Sequence, residues 1–217
     1  MNETEELQVT TQNRPKKGEF YILRPDMRGG GRGNGVEFEN EDAVPLPAYM
    51  SDPSERGGLA ALTVAPRLRY DSRIGDMPND MHSGLKGYWL VSEPLKQVFQ
   101  SVDPDGFAFV RCSFLLKDGS EAPPHYLCEV VRMLDAIDEA ASTVKVLTGY
   151  PNGKYYRVAG GASFAFKREV IGTAHVFRTP YTSNPFCDRF LRDALINNGF
   201  GKSSKTRGMW LLDASVC

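Results

Sequence analysis

Between Arg28 and Gly84 no hydrophobic period of 3.6 or of 2 runs for long, and this stretch constrains the fold more than any other. Arg28 to Gly35 reads RGGGRGNG, five glycines in eight residues, a composition that maximises backbone freedom and opposes both helix and strand. Pro45, Pro47, Pro53, Pro66 and Pro78 interrupt the remainder of the stretch, each removing a backbone donor. The segment 28–84 is therefore expected to be a long irregular Gly- and Pro-rich excursion carried by a domain whose core lies elsewhere. Irregular chain of that length is often function-bearing or ordered by a partner.

The core is read from the remaining segments. EFYILR, from Glu19 to Arg24, is dense in aromatic and β-branched residues and stopped by Pro25, as a strand would be. Leu85 to Val91 predicts a short strand. Ser92 then stands as an N-cap with Pro94 in the first turn of a helix over about 93–102, which carries Leu95, Val98, Phe99 and Val102 on one face. Phe107 to Leu116 and His125 to Leu134 read as strands around the turn Lys117 to Ser120. Further strands are expected at Thr143 to Leu147, Tyr155 to Val158, Ser163 to Phe166, Ala174 to Arg178 and Gly208 to Asp213.

A second helix is expected over about 185–198, opened by Asn184-Pro185 and ended by Gly199. Phe186, Phe190, Leu191, Ala194 and Leu195 would share its apolar face. Strands outnumber helices and come in runs, so the class is α+β with a largely antiparallel sheet and two main helices. Residues 1–17 read as a flexible polar tail, and 18–217 as a single α+β domain.

Charge narrows the partners. Lys and Arg number 26 against 27 Asp and Glu, a formal charge of -1, whereas a nucleic-acid binder carries a basic excess or a basic face. No apolar run approaches the roughly 18 residues of a membrane span. The start is polar and acidic (Glu3, Glu5, Glu6), with no signal peptide. Cys112, Cys128, Cys187 and Cys217 have no short ligand spacing, and the first three lie in apolar runs. They read as reduced thiols of a cytoplasmic protein, in or near the core.

Motifs for chemistry are sparse. Gly201-Lys202-Ser203-Ser204 mimics the end of a phosphate loop, but the earlier glycine is replaced by Ile196, and the segment follows a helix and precedes a strand. A phosphate loop needs the reverse order. The glycines at 29–35 lack a strand before and a helix after to converge their amides. His125 and Cys128 are three apart on a predicted strand and face opposite ways, while His175 alternates with Phe177 as a strand residue satisfied by the backbone. Trp89 and Trp210 read as core anchors. No metal or cofactor site is expected.

Two groups of carboxylates remain. Glu37, Glu39, Glu41 and Asp42 lie in the irregular excursion. Asp135, Asp138 and Glu139 follow the strand ending near Leu134, where a cap, a solvated turn and a partner contact are all open. The spacing of Asp135 and Asp138 would suit one turn of helix.

The order FYILRPD, YWLVSEPLKQVFQSVDPDGFAFVRC, YLCEVVRMLDAIDEAAS, IGTAHVFRTPYTSNPFCDRFLRDALINNGFGK and MWLLDA resembles a bacterial family once classed by an unassigned domain and later as immunity proteins. Such proteins are encoded beside polymorphic toxins of type VI secretion and Rhs systems. The resemblance spans about Lys17 to Ala214 and carries over fold and general role without a catalytic residue. It implies a cytoplasmic, non-enzymatic binder that neutralises a cognate toxin by covering its active site, with both carboxylate groups as candidate partner contacts. An enzyme that reverses the toxin's covalent modification, using His125 or His175, and an effector adaptor or chaperone are the alternatives.

Overall fold

The computed structural model describes residues 14–28, 33–50, 57–203 and 205–217. Its strands, in chain order, are β1 (Phe20–Pro25), β2 (Val36–Phe38), β3 (Arg67–Tyr70), β4 (Met81–Leu85), β5 (Tyr88–Ser92), β6 (Phe107–Arg111), β7 (Ser113–Leu115) and β8 (His125–Val130). They continue with β9 (Ile137–Thr143), β10 (Lys145–Thr148), β11 (Lys154–Arg157), β12 (Ser163–Phe166), β13 (Val176–Phe177), β14 (Phe186–Asp188) and β15 (Met209–Asp213). Among the described residues three short helices accompany them: α1 (Glu93–Val102), α2 (Arg168–Ile171) and α3 (Arg189–Asn197). The class is α+β, and the registered strand pairs are antiparallel except β3 with β7. Among the described residues no helix is long and apolar enough to cross a membrane.

The chain divides into two compact units. One takes the described residues of Met1–Leu23 with Arg132–Arg192 and Leu211–Cys217, and the other those of Arg24–Val131 with Asp193–Trp210. The first unit is cored by aromatics: Phe20, Phe164, Phe166, Phe177 and Phe186 are buried together with Ile22, Ile137 and Tyr156. Their rings meet edge-on, Phe166 and Phe186 at 5.1 Å and Phe166 and Phe177 at 5.7 Å between centroids, the arrangement that the ring quadrupole favours.

The second unit is built on the sheet of order β4-β5-β8-β6. All five residues of β5 are buried, which explains the unbroken apolar run that marks it in the sequence. The α1 helix starts where its sequence says: the Ser92 Oγ accepts the Leu95 amide, Pro94 sits in the first turn, and Leu95, Val98 and Phe99 are buried. Cys112, Cys128 and Cys187 are buried and form no disulfide among the described residues.

Several elements depart from the sequence reading. The expected strand 107–116 breaks at Cys112. Before it β6 pairs with β8, and after it β7 runs parallel to β3, Leu68 facing Phe114. At the break the Cys112 amide donates to His125 O and the Ser113 amide to Pro66 O, so one continuous apolar run changes partner at a corner. The second helix starts at Arg189, four residues later than its pattern predicts. Phe186 and Cys187 lie on β14, between β13 and β1, and are 0% exposed. Adjacent residues buried this way suit a strand with both faces covered, whereas a helix end would leave one of them outside. Asp188 then caps α3, its Oδ1 accepting the Leu191 amide at 3.0 Å. The span 137–143 is a strand, β9, paired with β12, although IDEAAST carries little strand propensity. The described residues of the excursion 28–84 contribute β2, β3, β4 and the 3-10 turns Glu41–Ala43 and Leu59–Ala61.

Candidate functional site

The first carboxylate group lies wholly in the second unit. β2 and β3 form a short antiparallel pair in which Glu37 faces Arg69 and Phe38 faces Leu68. Phe38 and Leu68 join the buried cluster around Tyr88 and Leu127, and the alternation of the strand sends Glu37 and Glu39 outward. The Arg69 Nε donates to Glu39 Oε1 at 2.6 Å, with Arg67 3.9 Å from its other oxygen. Glu39 is thus held by its own chain, whereas Glu37, Glu41 and Asp42 stand exposed on the same segment. Asn40 ties the turn down, its side chain accepting the Arg67 amide and donating to Ala65 O. Lys86, in a left-handed conformation at φ 54°, donates to Glu41 O.

A buried carboxylate anchors the chain beyond this turn. Glu129 on β8 is 4% exposed, and its two oxygens accept the Leu59 amide at 2.7 Å and the Ala48 amide at 3.1 Å. Gly58 passes so close that an added Cβ would lie 2.5 Å from Glu129 Oε1, and its φ of 78° is one that glycine adopts without penalty. The sequence gives no sign of this clamp, because Glu129 sits in an apolar strand pattern and its partners are backbone groups.

The same unit carries a cleft of about 510 Å³, lined among others by Asp26, Met27, Asp76, Met77, Met81 and Gly208. Its walls rest on bare backbone. Gly35 and Gly75 touch so closely that a Cβ on Gly75 would lie 2.5 Å from the Gly35 nitrogen, and one on Gly208 would lie 2.1 Å from Met81 O. Next to the cleft Trp210 is only partly buried, with the guanidinium carbons of Arg24 and Arg28 at 4.1 and 4.0 Å from its ring centre. This cation-flanked indole replaces the expected core anchor, whereas Trp89 is buried at 7% exposure as expected. Arg28 is fixed further by Asp26, which accepts from its Nε at 2.9 Å and from its backbone amide. That pairing holds the Asp26 carboxyl down at about 2.

The second carboxylate group belongs to the other unit. Asp135 is exposed ahead of β9, and Asp138 and Glu139 lie on the strand itself rather than on a helical turn. Asp138 Oδ1 accepts the Ala141 amide. Glu139 Oε2 takes the Tyr156 hydroxyl at 2.8 Å and pairs with Lys154; these donors, Lys154 foremost, lower its pKa.

Of the histidines, His125 is buried at 4% exposure with Nδ1 2.8 Å from Pro123 O and, among the described residues, no hydrogen-bond partner at Nε2. Burial depresses its pKa. His125 and Cys128 lie on one strand, Ser92 facing the former and Trp89 the latter. His82, lining the cleft, is also depressed by burial. His175 precedes β13, and its Nδ1 lies 2.8 Å from Asp188 Oδ2, a carboxylate partner instead of the backbone group expected. Phe190, expected in the core, is 61% exposed and stacks on the His175 ring at 4.8 Å.

The second unit thus carries a charged turn, an arginine held by Asp26 and the Trp210 ring, and a concave surface. Residues 19–216 match the family model described as Immunity protein family (Imm11). No curated protein matches the chain.

Proposed function

The chain belongs to the Imm11 immunity protein family, and from that membership we propose that it binds one cognate bacterial toxin in the producing cell's cytoplasm and neutralises it by covering the active site. The toxin would be of the polymorphic kind delivered by type VI secretion or carried on Rhs proteins. The family match along 19–216 is the observation that carries the reading. The second unit supplies a surface suited to it. Glu37, Glu41 and Asp42 are exposed and form no salt bridge among the described residues, although Glu37 lies within the field of Arg73, so the turn presents acidic side chains to a basic cleft such as a nuclease would have. Glu39 stiffens that face through Arg69. The group of Asp135, Asp138 and Glu139 is a weaker candidate, because Glu139 is already matched by Lys154 and Tyr156.

The test is co-expression with the C-terminal domain of the large protein encoded beside this chain, scoring growth and co-purification together. Rescue with a stable complex and a one-to-one end point in a toxin-activity titration supports occlusion. A second reading, enzymatic reversal of the toxin's modification, draws on the His175–Asp188 pair, a histidine oriented by a carboxylate. It requires rescue at far below one molecule per toxin and loss of that rescue in His175→Ala. Toxin binding with full toxin activity would instead indicate an adaptor.

A further inference from the structure

Resting on that reading, we propose that the cleft between Met27 and Met77 is a second toxin contact, separate from the Glu37 to Asp42 turn, and that it receives a lysine or arginine side chain.

Three observations converge on this occupant. Met27 is 79% exposed and Met77 38% exposed, and both line the cleft. Thioethers left in water at a concavity are adaptable apolar contacts, suited to the methylene stem of a long side chain. Gly208 and the buried Met81 line the cleft as well and pack backbone against backbone, so the concavity that would take such a stem rests on a rigid contact. Asp76, exposed on the same lining, has no cation or hydrogen-bond donor on its carboxylate among the described residues, unlike Asp26, whose charge is taken up by Arg28. A carboxylate with no partner among the described residues, beside two apolar side chains, selects a positive head on an aliphatic stem and repels an acidic one.

The supporting surface is pre-ordered. Arg28 is held at once by Asp26 and by the Trp210 ring, and the Gly35–Gly75 contact fixes the backbone next to Asp76 through Gly35 N to Asp76 O at 2.8 Å. The backbone and Arg28 are thus placed before binding, and the freedom still to be lost is chiefly that of the exposed Met27 and Met77.

Methionine oxidation by dilute peroxide, followed by mass spectrometry on the free chain and on its complex with the neighbouring toxin domain, tests the proposal without a substitution. Met27 and Met77 should oxidise readily in the free chain and several-fold more slowly in the complex, while the buried Met81 stays slow in both. Asp76→Lys should weaken the complex by about tenfold or more at unchanged melting temperature, and Asp76→Asn by less. An intact complex in which Met27 and Met77 oxidise as in the free chain overturns the proposal, as does an unchanged Kd for Asp76→Lys, and both leave the immunity reading standing. If the unsubstituted chain forms no complex and rescues no growth, the immunity reading fails and this proposal falls with it.

Discussion

Glu129 and Leu59 are 70 residues apart in sequence, yet the carboxylate of one accepts the amide of the other at 2.7 Å inside the second unit. A second amide, that of Ala48, reaches the other oxygen, so one side chain of the sheet holds two points of the Pro-rich excursion. Glu129→Leu removes both acceptors and leaves two amides to find water or strain. The expected loss is about 2–4 kcal/mol of stability, together with faster proteolysis between residues 48 and 59. Chemical denaturation and limited trypsin digestion check it, with Glu129→Gln expected to lose less because one acceptor oxygen remains.

The four acidic residues of the turn are not equivalent. Reversing Glu37, Glu41 and Asp42 to Lys should slow association with the toxin by roughly tenfold at low salt and flatten its salt dependence, with dissociation little altered. Reversing Glu39 alone should cost stability as well, since Arg69 and Arg67 would then face a like charge. Stopped-flow association at two ionic strengths separates the cases. Equal rates for the triple variant and the parent would remove this face from the encounter.

Acid should destabilise the chain in a defined window. His125 and His82 have pKa values below the ordinary 6.5 because burial disfavours their charged forms. The unfolded chain therefore binds these protons more readily than the folded one, and stability rises with pH up to about 6.5 and falls below it. Melting temperature should decline as pH is lowered from about 7 to 5, and His125→Asn should lessen the decline. A second loss is expected as pH falls from about 4 to about 2, where the unfolded chain takes up the Asp26 proton before the folded one, in which Arg28 holds the carboxyl at about 2. A flat profile between pH 7 and 5 would remove the histidines from this account.

Gly208 has φ 84°, and a Cβ there would meet Met81 O at 2.1 Å. Gly208→Ala must move a backbone carbonyl as well as adopt a left-handed conformation, and is expected to cost about 2–4 kcal/mol. Gly84, also at positive φ but with no atom near its would-be Cβ, should cost only about 1 kcal/mol on the same substitution. Paired urea melts of the two variants measure the difference.

Phe186 and Phe190 are four residues apart and share one apolar face if read as a helix. Phe186 is 0% exposed on β14, while Phe190 is 61% exposed. Phe186→Ala should therefore cost about 3–5 kcal/mol, and Phe190→Ala less than about 1 kcal/mol. Thermal denaturation of both variants is sufficient.

Local signals account for the elements that were legible in the sequence. The Ser92 cap, Pro94 and the stripe of Leu95, Val98 and Phe99 act within a few residues of one another, and α1 forms where they place it. The run YWLV of β5 is buried throughout and was legible for the same reason. Misread elements are those decided by distant partners. IDEAAST is a strand because β12 offers it a ladder, Phe186 is sheet rather than helix because β1 and β13 flank it, and the run through Cys112 divides because β3 lies alongside its second half. The acidic turn was visible as composition, but its partial neutralisation by Arg67 and Arg69 depends on a pairing register that no local pattern fixes. The cleft was invisible, since Asp26, Asp76 and Gly208 meet only through tertiary structure.

The two arginines against Trp210 give this molecule its own optical reporter. The chain has two tryptophans. Trp89 is shielded in the interior, while Trp210 carries a guanidinium at about 4 Å on Arg24 and another on Arg28. Indole emission depends on the charges and water beside the ring, so any occupant that shifts Arg28 or dries the neighbouring cleft will change the colour and yield of Trp210 against a constant Trp89 background. Capture of a tryptophan-free partner can then be followed in real time, unlabelled, from the intrinsic fluorescence of the chain itself.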